Sequence, residues 1–256
     1  MQLPAATRMG AVHLAVSDLE RSIGYYRDAI GLSVIGENGG EASLGASGAE
    51  LLHLVEEPGA APADGYTGLF HFALLVPERA DLARWLAHAV REQVVLTGAS
   101  DHFVSEALYL RDPDHHGIEI YADRPRALWE GQVRRMGTWP LDLDGLIAEA
   151  TGTFAGLSDG TTMGHVHLRV ADVDDAVGFY RDLLGFELMA QLGPQAAFMS
   201  AGGYHHHVGA NTWESAGAPP APEGTASLRQ LTILVPGAEE RALRDPSGNA
   251  VVIAAA

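Results

Sequence analysis

The sequence predicts an α+β protein of four βαβββ modules, the fourth truncated, paired into two curved-sheet half-barrels. Three observations predict it. The chain repeats itself at an offset of 154 residues: Ala11-Val-His-Leu-Ala-Val16 returns as His165-Val-His-Leu-Arg-Val170, Tyr26-Arg27-Asp28 as Tyr180-Arg181-Asp182, and Gly31-Leu32 as Gly185-Phe186. A second pair repeats too, His71-Phe-Ala-Leu-Leu-Val76-Pro77 against Gln230-Leu-Thr-Ile-Leu-Val235-Pro236, followed by Arg111-Asp112-Pro113 against Arg244-Asp245-Pro246. Each repeat opens on a strand pattern, as where Val12, Leu14 and Val16 alternate with other residues.

The modules span 9–60, 66–125, 162–215 and 226–256. They give a first half at 9–125 and a second at 162–256, joined by a linker at 126–161. A helix follows the opening strand in three modules. In the third, Asp172 is placed to cap it, and Val173, Ala176, Val177, Tyr180, Leu183 and Leu184 fall on one face at helical spacing. Gly185 then ends the helix. Short strands with glycine turns complete the module, and Gly202-Gly203 leads into a segment read as a strand carrying His205, His206 and His207. The fourth module is cut down: 34 positions separate Pro77 from Arg111, but only 8 separate Pro236 from Arg244, so a helix and a strand should be missing there. The linker holds one short helical pattern, Leu141-Asp-Leu-Asp-Gly-Leu-Ile-Ala-Glu-Ala. A module with a single helix buries only one face of its sheet, so two modules must pair to close a curved sheet around a cavity.

Composition narrows the function classes. Hydrophobic residues make up 47% and charged residues 19% of the 256, as in ordinary soluble globular proteins. The formal net charge of -17 argues against nucleic acid or an anionic membrane as partner. No run of about 18 apolar residues predicts a membrane span. Met1-Gln2-Leu3-Pro4 lacks the basic start and apolar run of a signal peptide, so a cytoplasmic location is expected. The absence of cysteine removes disulfides and thiolate ligands. Histidine is the unusual component, with 12 copies, several of them clustered.

With the repeats in register, the position five residues before the strand-ending valine is Ala11, His71, His165 and Gln230 in the four modules. The carboxylate position on the last strand is Glu119 in module two and Val252 in module four. Either histidine alone would be read as a satisfied core or surface residue. Sharing one register, with Glu119 in Gly-Ile-Glu-Ile, they make a candidate 2-His-1-carboxylate metal set of His71, Glu119 and His165. Three protein ligands leave positions open for reactants. Only the pairing of modules two and three gathers all three, which leaves modules one and four to form the metal-free half. The rival ligand is His13, in register with His167, which would restore the simple pairing of modules one and two. His206 could serve as an acid–base, as part of a surface run, or, with His205 and His207, as a source of a fourth ligand. Tyr109 could bind a substrate oxygen or merely pack. His115 and His116 sit in a turn and are expected to be exposed; His53 and His88 are expected to be structural.

Gly68-Leu-Phe-His71-Phe-Ala, Ser105-Glu-Ala-Leu-Tyr109-Leu-Arg-Asp-Pro-Asp, Gly117-Ile-Glu119-Ile-Tyr-Ala-Asp-Arg-Pro125, Gly164-His165-Val-His-Leu and Gly202-Gly-Tyr-His-His-His-Val-Gly-Ala-Asn-Thr-Trp213 together resemble the vicinal oxygen chelate superfamily. This is the superfamily of glyoxalases, bleomycin resistance proteins and extradiol dioxygenases. Within it the chain resembles the two-half proteins called catechol-2,3-dioxygenase-like. The resemblance implies a ring-cleaving dioxygenase that takes a catechol- or hydroquinone-like aromatic, with Fe(II) at His71, Glu119 and His165 and O2 as co-substrate; Mn, Co, Ni or Zn would suit the same ligands. It implies His206 as acid–base, Tyr109 and His102 as residues orienting the substrate, and His167 in the substrate pocket. The alternatives are a glyoxalase-type metal-dependent isomerase or lyase and a non-catalytic binding or resistance protein. The shortened fourth module departs from the commonest relatives: one cavity is left open, or a second copy of the chain covers it as a homodimer.

Overall fold

The computed structural model describes residues 2–256. One sheet has nine strands, in the spatial order Trp139–Pro140, Gly98–Asp101, Ser105–Arg111, Gly117–Asp123, Gly68–Val76, Thr162–Arg169, Val208–Asn211, Ala196–Ser200 and Glu187–Leu192. A second has seven, in the order Arg241–Arg244, Ala250–Ala255, Leu228–Val235, Arg8–Val16, Ala49–Glu56, Glu41–Ala46 and Ser33–Asn38, and a small third pairs Thr225–Ala226 with Ala61–Pro62. Modules two and three therefore share the first curled sheet and modules one and four the second, the pairing that the distribution of histidines and glutamate predicts.

Each of the two large sheets is joined at its middle by two antiparallel opening strands. Gly68–Val76 pairs with Thr162–Arg169, and Arg8–Val16 pairs with Leu228–Val235. Both seams break register at corresponding places: between Met163 and His165 and between His167 and Leu168 in one, between Met9 and Val12 and between His13 and Leu14 in the other. Such bulges bend a strand and re-aim its side chains. Here they flank the candidate ligand His165.

The helices lie where the apolar stripes place them, with one difference. Leu19–Tyr25 runs on into a wider, π-type turn at Tyr26–Ile30, and Val173–Val177 does the same at Gly178–Leu183. Asp172 caps the latter by accepting from the Asp175 amide at 3.0 Å, and Gly185 comes after it at φ 95°. The π turn takes up more residues than an α turn and rotates the chain beyond it. Leu183, which a strict 3.6-residue period places inside, is 67% exposed, while Leu184 is buried. The helix Arg79–Arg91 covers the nine-stranded sheet and buries Leu82, Trp85 and Leu86.

The two π turns aim tyrosines at the Arg-Asp-Pro motifs. Tyr26 donates to Asp112 at 2.8 Å and Tyr180 to Asp245 at 3.2 Å. Each aspartate also accepts backbone amides of its own turn, from Asp114 and His116 in one case and from Ser247 and Asn249 in the other. Sheets thus tie module one to four and two to three, while these buried hydrogen bonds tie one to two and three to four. His116 is part of this framework. It is buried, not exposed as its turn position suggested, because its Nε2 reaches the Ala15 carbonyl at 2.9 Å. His115 is exposed as expected.

The fourth module passes from Leu228–Val235 to Arg241–Arg244 through a turn without a helix. Between the halves, Leu143–Ile147 forms a short helix capped by Asp142, and Trp139–Pro140 adds an edge strand beside Ser100 and Asp101. Among the described residues no helix is long and apolar enough to cross a membrane.

Candidate metal centre

Sheet register brings the predicted ligands together. Glu119, Ala73 and His165 lie side by side across three adjacent strands, and His71 lies two residues from Ala73 on the same face, opposite His167. Ala73 matters because it is small: a methyl group between Glu119 and His165 leaves the space into which both side chains lean. Gly117 has the same function beside His71. A Cβ there would overlap the Phe70 carbonyl and come within 3.0 Å of His71 Cβ.

The donor atoms form a tight, buried triangle. Glu119 Oε2 is 3.0 Å from His71 Nε2 and 3.1 Å from His165 Nε2, and the two Nε2 atoms are 3.4 Å apart. Two metal–ligand bonds of about 2.1 Å end about 3.0 Å apart at a right angle and about 3.4 Å apart at the tetrahedral angle. The triangle therefore has the edge lengths of one face of a coordination shell, and the donor set fits a divalent metal site. Burial would raise the Glu119 carboxyl, but His165 and His71 hold it well below the usual carboxylate range. Burial pushes His165 down to about 4 against the pull of Glu119. Near pH 7 these two groups are an ionised carboxylate and a neutral imidazole, the forms that ligate. Among the described residues, this is the group of three His, Cys, Asp or Glu donors whose atoms all lie within 4.8 Å of one another.

The group opens into a cavity of about 360 Å³, within the size range of small-molecule sites. Tyr109, His102, His167 and His206 all line it. Tyr109 stands beside Glu119 in the sheet, and burial with the neighbouring Glu119 charge pushes its hydroxyl well above the ordinary tyrosine value. His102 bridges Tyr109 Oη at 2.7 Å and the Gly137 carbonyl at 2.6 Å. The carbonyl can only accept, so a neutral His102 donates from Nδ1 and accepts the tyrosine proton at Nε2. His167 packs among Phe70, Phe198 and Trp213 at ring separations of 5.3–5.6 Å. It leans over Gly209, where a Cβ would lie 2.8 Å from the ring.

One expectation is corrected by the geometry, and two alternatives find no support in it. His13 does not join the ligands. It belongs to the seven-stranded sheet and stacks on His53 at 4.7 Å. The three consecutive histidines do not lie on a strand. Gly202 and Gly203 both adopt positive φ, 64° and 67°, and the strand begins only at Val208, so His205–His207 form a turn. None of the three histidines supplies a fourth donor to the group. His206 faces the cavity with its ring 4.0 Å from that of His165. His205 is directed to Asp123, and His207 is packed against Phe186.

Sequence reasoning missed Asp123, the aromatic wall of Phe70, Phe198 and Trp213, and the linker residues Met136, Gly137 and Thr138 that line the cavity. Asp123 was findable: it lies four residues after Glu119 on one strand, hence on the same face. The linker contribution had no signal, because its approach depends on edge pairing with Ser100 and Asp101.

Comparison with known proteins gives the family of the chain. Residues 8–120 and 162–240 match the glyoxalase/bleomycin resistance protein/dioxygenase superfamily. Over 242 residues the chain is 41% identical to the catechol-2,3-dioxygenase of Bacillus subtilis (strain 168), covering 91% of this chain and 85% of that one. Among solved structures, glyoxalase I from Zea mays shares the fold at 16% identity and a TM-score of 0.59, over 98% of this chain and 92% of that one. The cppA protein from Streptococcus pneumoniae TIGR4 does so at 14% identity and a TM-score of 0.59, over 100% and 99%. The chain therefore belongs to the glyoxalase/bleomycin resistance protein/dioxygenase superfamily, and within it is a catechol-2,3-dioxygenase-like oxidoreductase.

Proposed function

We propose that this protein is an extradiol-type ring-cleaving dioxygenase that holds Fe(II) through His71, Glu119 and His165 and acts on a catechol- or hydroquinone-like aromatic with O2. The observation that carries the reading is the convergence of three metal-type donors on an aromatic-walled cavity that also presents Tyr109 and His206. The 41% identical relative named for catechol 2,3-dioxygenation supports it. Bound iron would supply a place where both reactants meet and a charge that lowers the pKa of a substrate hydroxyl.

The chain's own residues do the rest. Phe70, Phe198 and Trp213 surround His167 and offer flat, apolar contact to an aromatic ring. Tyr109, fixed by His102, is positioned to hydrogen-bond a ring oxygen. His206 is buried and held well below the usual imidazole pKa by that burial, so it is neutral and can take a proton from a substrate hydroxyl. It can return that proton later in the cycle. A glyoxalase-type isomerase built on four ligands is less well served, since no fourth His, Cys, Asp or Glu donor joins the group among the described residues.

The test is anaerobic loading with Fe(II), Mn(II), Co(II), Ni(II) or Zn(II), then oxygen uptake on catechols and hydroquinones. Iron-dependent consumption of one O2 per ring lost is expected. Turnover of a hemithioacetal without oxygen uptake would overturn the reading.

A further inference from the structure

His206 does not stand alone. Its Nδ1 is 2.8 Å from Nδ1 of His205, and Nε2 of His205 is 2.9 Å from Oδ1 of Asp123. His205 is fully buried, whereas the Asp123 side chain is 25% exposed. The Tyr204 ring packs on His205 at 4.0 Å, tilted by 36°, and its hydroxyl meets that of Tyr121 at 2.7 Å. The His205 ring is thus packed by Tyr204 and held at both nitrogens. We infer that Asp123 and His205 are positioning residues that fix the tautomer of His206, leaving its Nε2 lone pair toward the cavity.

Counting hydrogens along the chain assigns the tautomers. A carboxylate accepts, so His205 Nε2 carries the hydrogen shared with Asp123. A neutral imidazole has one N–H, so His205 Nδ1 is an acceptor. The hydrogen between the two Nδ1 atoms then belongs to His206, whose Nε2 is left unprotonated. Among the described residues His206 Nε2 has no hydrogen-bond partner in the protein, and the residue lines the cavity. In hydrolase triads a carboxylate bonded directly to the catalytic histidine sets its tautomer; here one more imidazole, His205, stands between Asp123 and His206. The chain of contacts also explains why three histidines stand in a row after Gly202-Gly203: the turn lets adjacent residues point to Asp123 and to the cavity, which a strand would forbid.

This inference deepens the proposed function, because a base needs that lone pair. Its test stands apart from turnover. The ring nitrogens of 15N-histidine-labelled, metal-free protein report tautomers directly, with His206 assigned by the signals lost in His206→Asn. The expected result is His206 protonated at Nδ1 and His205 at Nε2. Asp123→Ala should move His206 to the Nε2–H form, while Asp123→Asn, whose amide oxygen still accepts, should keep it. With Fe(II) and catechol, Asp123→Ala should lower kcat by about 10²-fold with KM nearly unchanged. A wild-type His206 protonated at Nε2, with His205 an imidazolium, would overturn the inference. So would an Asp123→Ala protein whose tautomers and kcat match the wild type. If wild type shows the expected tautomers but no oxygen uptake, the dioxygenase reading fails while the relay stands.

Discussion

Ala73 shows how much a site can depend on a side chain that is barely there. Glu119 and His165 converge only because the residue between them in the sheet register is a methyl group. Ala73→Leu should cost about 1–3 kcal/mol in stability as an overpacked core position. It should also abolish stoichiometric metal binding, read by calorimetric titration and by the denaturation midpoint of the same sample; a variant that still binds one metal per chain would refute the packing argument. The orienting pair makes a second prediction. Tyr109→Phe removes the hydrogen bond to His102 at 2.7 Å but keeps the ring. Its metal stoichiometry should stay at wild-type level while kcat/KM falls roughly 10–100-fold, the value of one well-placed hydrogen bond of about 1.4–3 kcal/mol. The candidate ligands His71 and His165 were legible in the sequence because they recur at one register, and Glu119 because its strand motif is short and distinctive. The aromatic neighbours of His167 were not, since Phe70, Phe198 and Trp213 come from three separate segments that only the folded sheet brings together.

At the scale of elements, the repeat was readable and its distortions were not. The offset of 154 residues gave the strands and helices of modules one and three, and the second repeat pair gave the missing part of module four. It gave no hint of the π turns, because an apolar stripe does not distinguish a helix of 3.6 residues per turn from one that widens in its last turn. Those turns deliver Tyr26 and Tyr180 to Asp112 and Asp245. Burial raises the Asp245 carboxyl despite four hydrogen bonds that favour its ionised form. Tyr180→Phe leaves that group with one bond fewer and should destabilise the protein by about 1–3 kcal/mol in urea denaturation. Tyr26→Phe should behave alike at Asp112. Losses below about 0.3 kcal/mol at both positions would show that the cross-module bonds contribute nothing. The histidine turn failed as a strand for a related reason: Gly202 and Gly203 signal a turn, but how many residues the turn spans is decided by where His205 and His206 find partners.

For the whole molecule, the site belongs to neither half of the chain alone. His71 and Glu119 precede the linker, His165 lies beyond it, and the linker itself walls the cavity at Met136, Gly137 and Thr138. Burying so many imidazoles has a pH signature. Burial lowers His165 and His207 to about 4 and lowers His167 and His206 as well. Between about pH 6.5 and about pH 4 the unfolded chain then binds more protons than the folded one, so this stability is complete above the unfolded imidazole value and is lost as the pH falls. The depressed Glu119 works in the same direction at still lower pH. The urea midpoint of metal-free protein should therefore fall steadily on acidification from about pH 7 to about pH 4.5; a flat or rising midpoint would contradict it. The central claim is that one metal is shared by His71, Glu119 and His165 across the two halves. Metal stoichiometry of the purified, reconstituted protein tests it most directly. One divalent ion per chain should bind to the wild type and to His13→Ala, and essentially none to His71→Ala, Glu119→Ala or His165→Ala. Full occupancy in His165→Ala, or loss of the ion in His13→Ala, would contradict it.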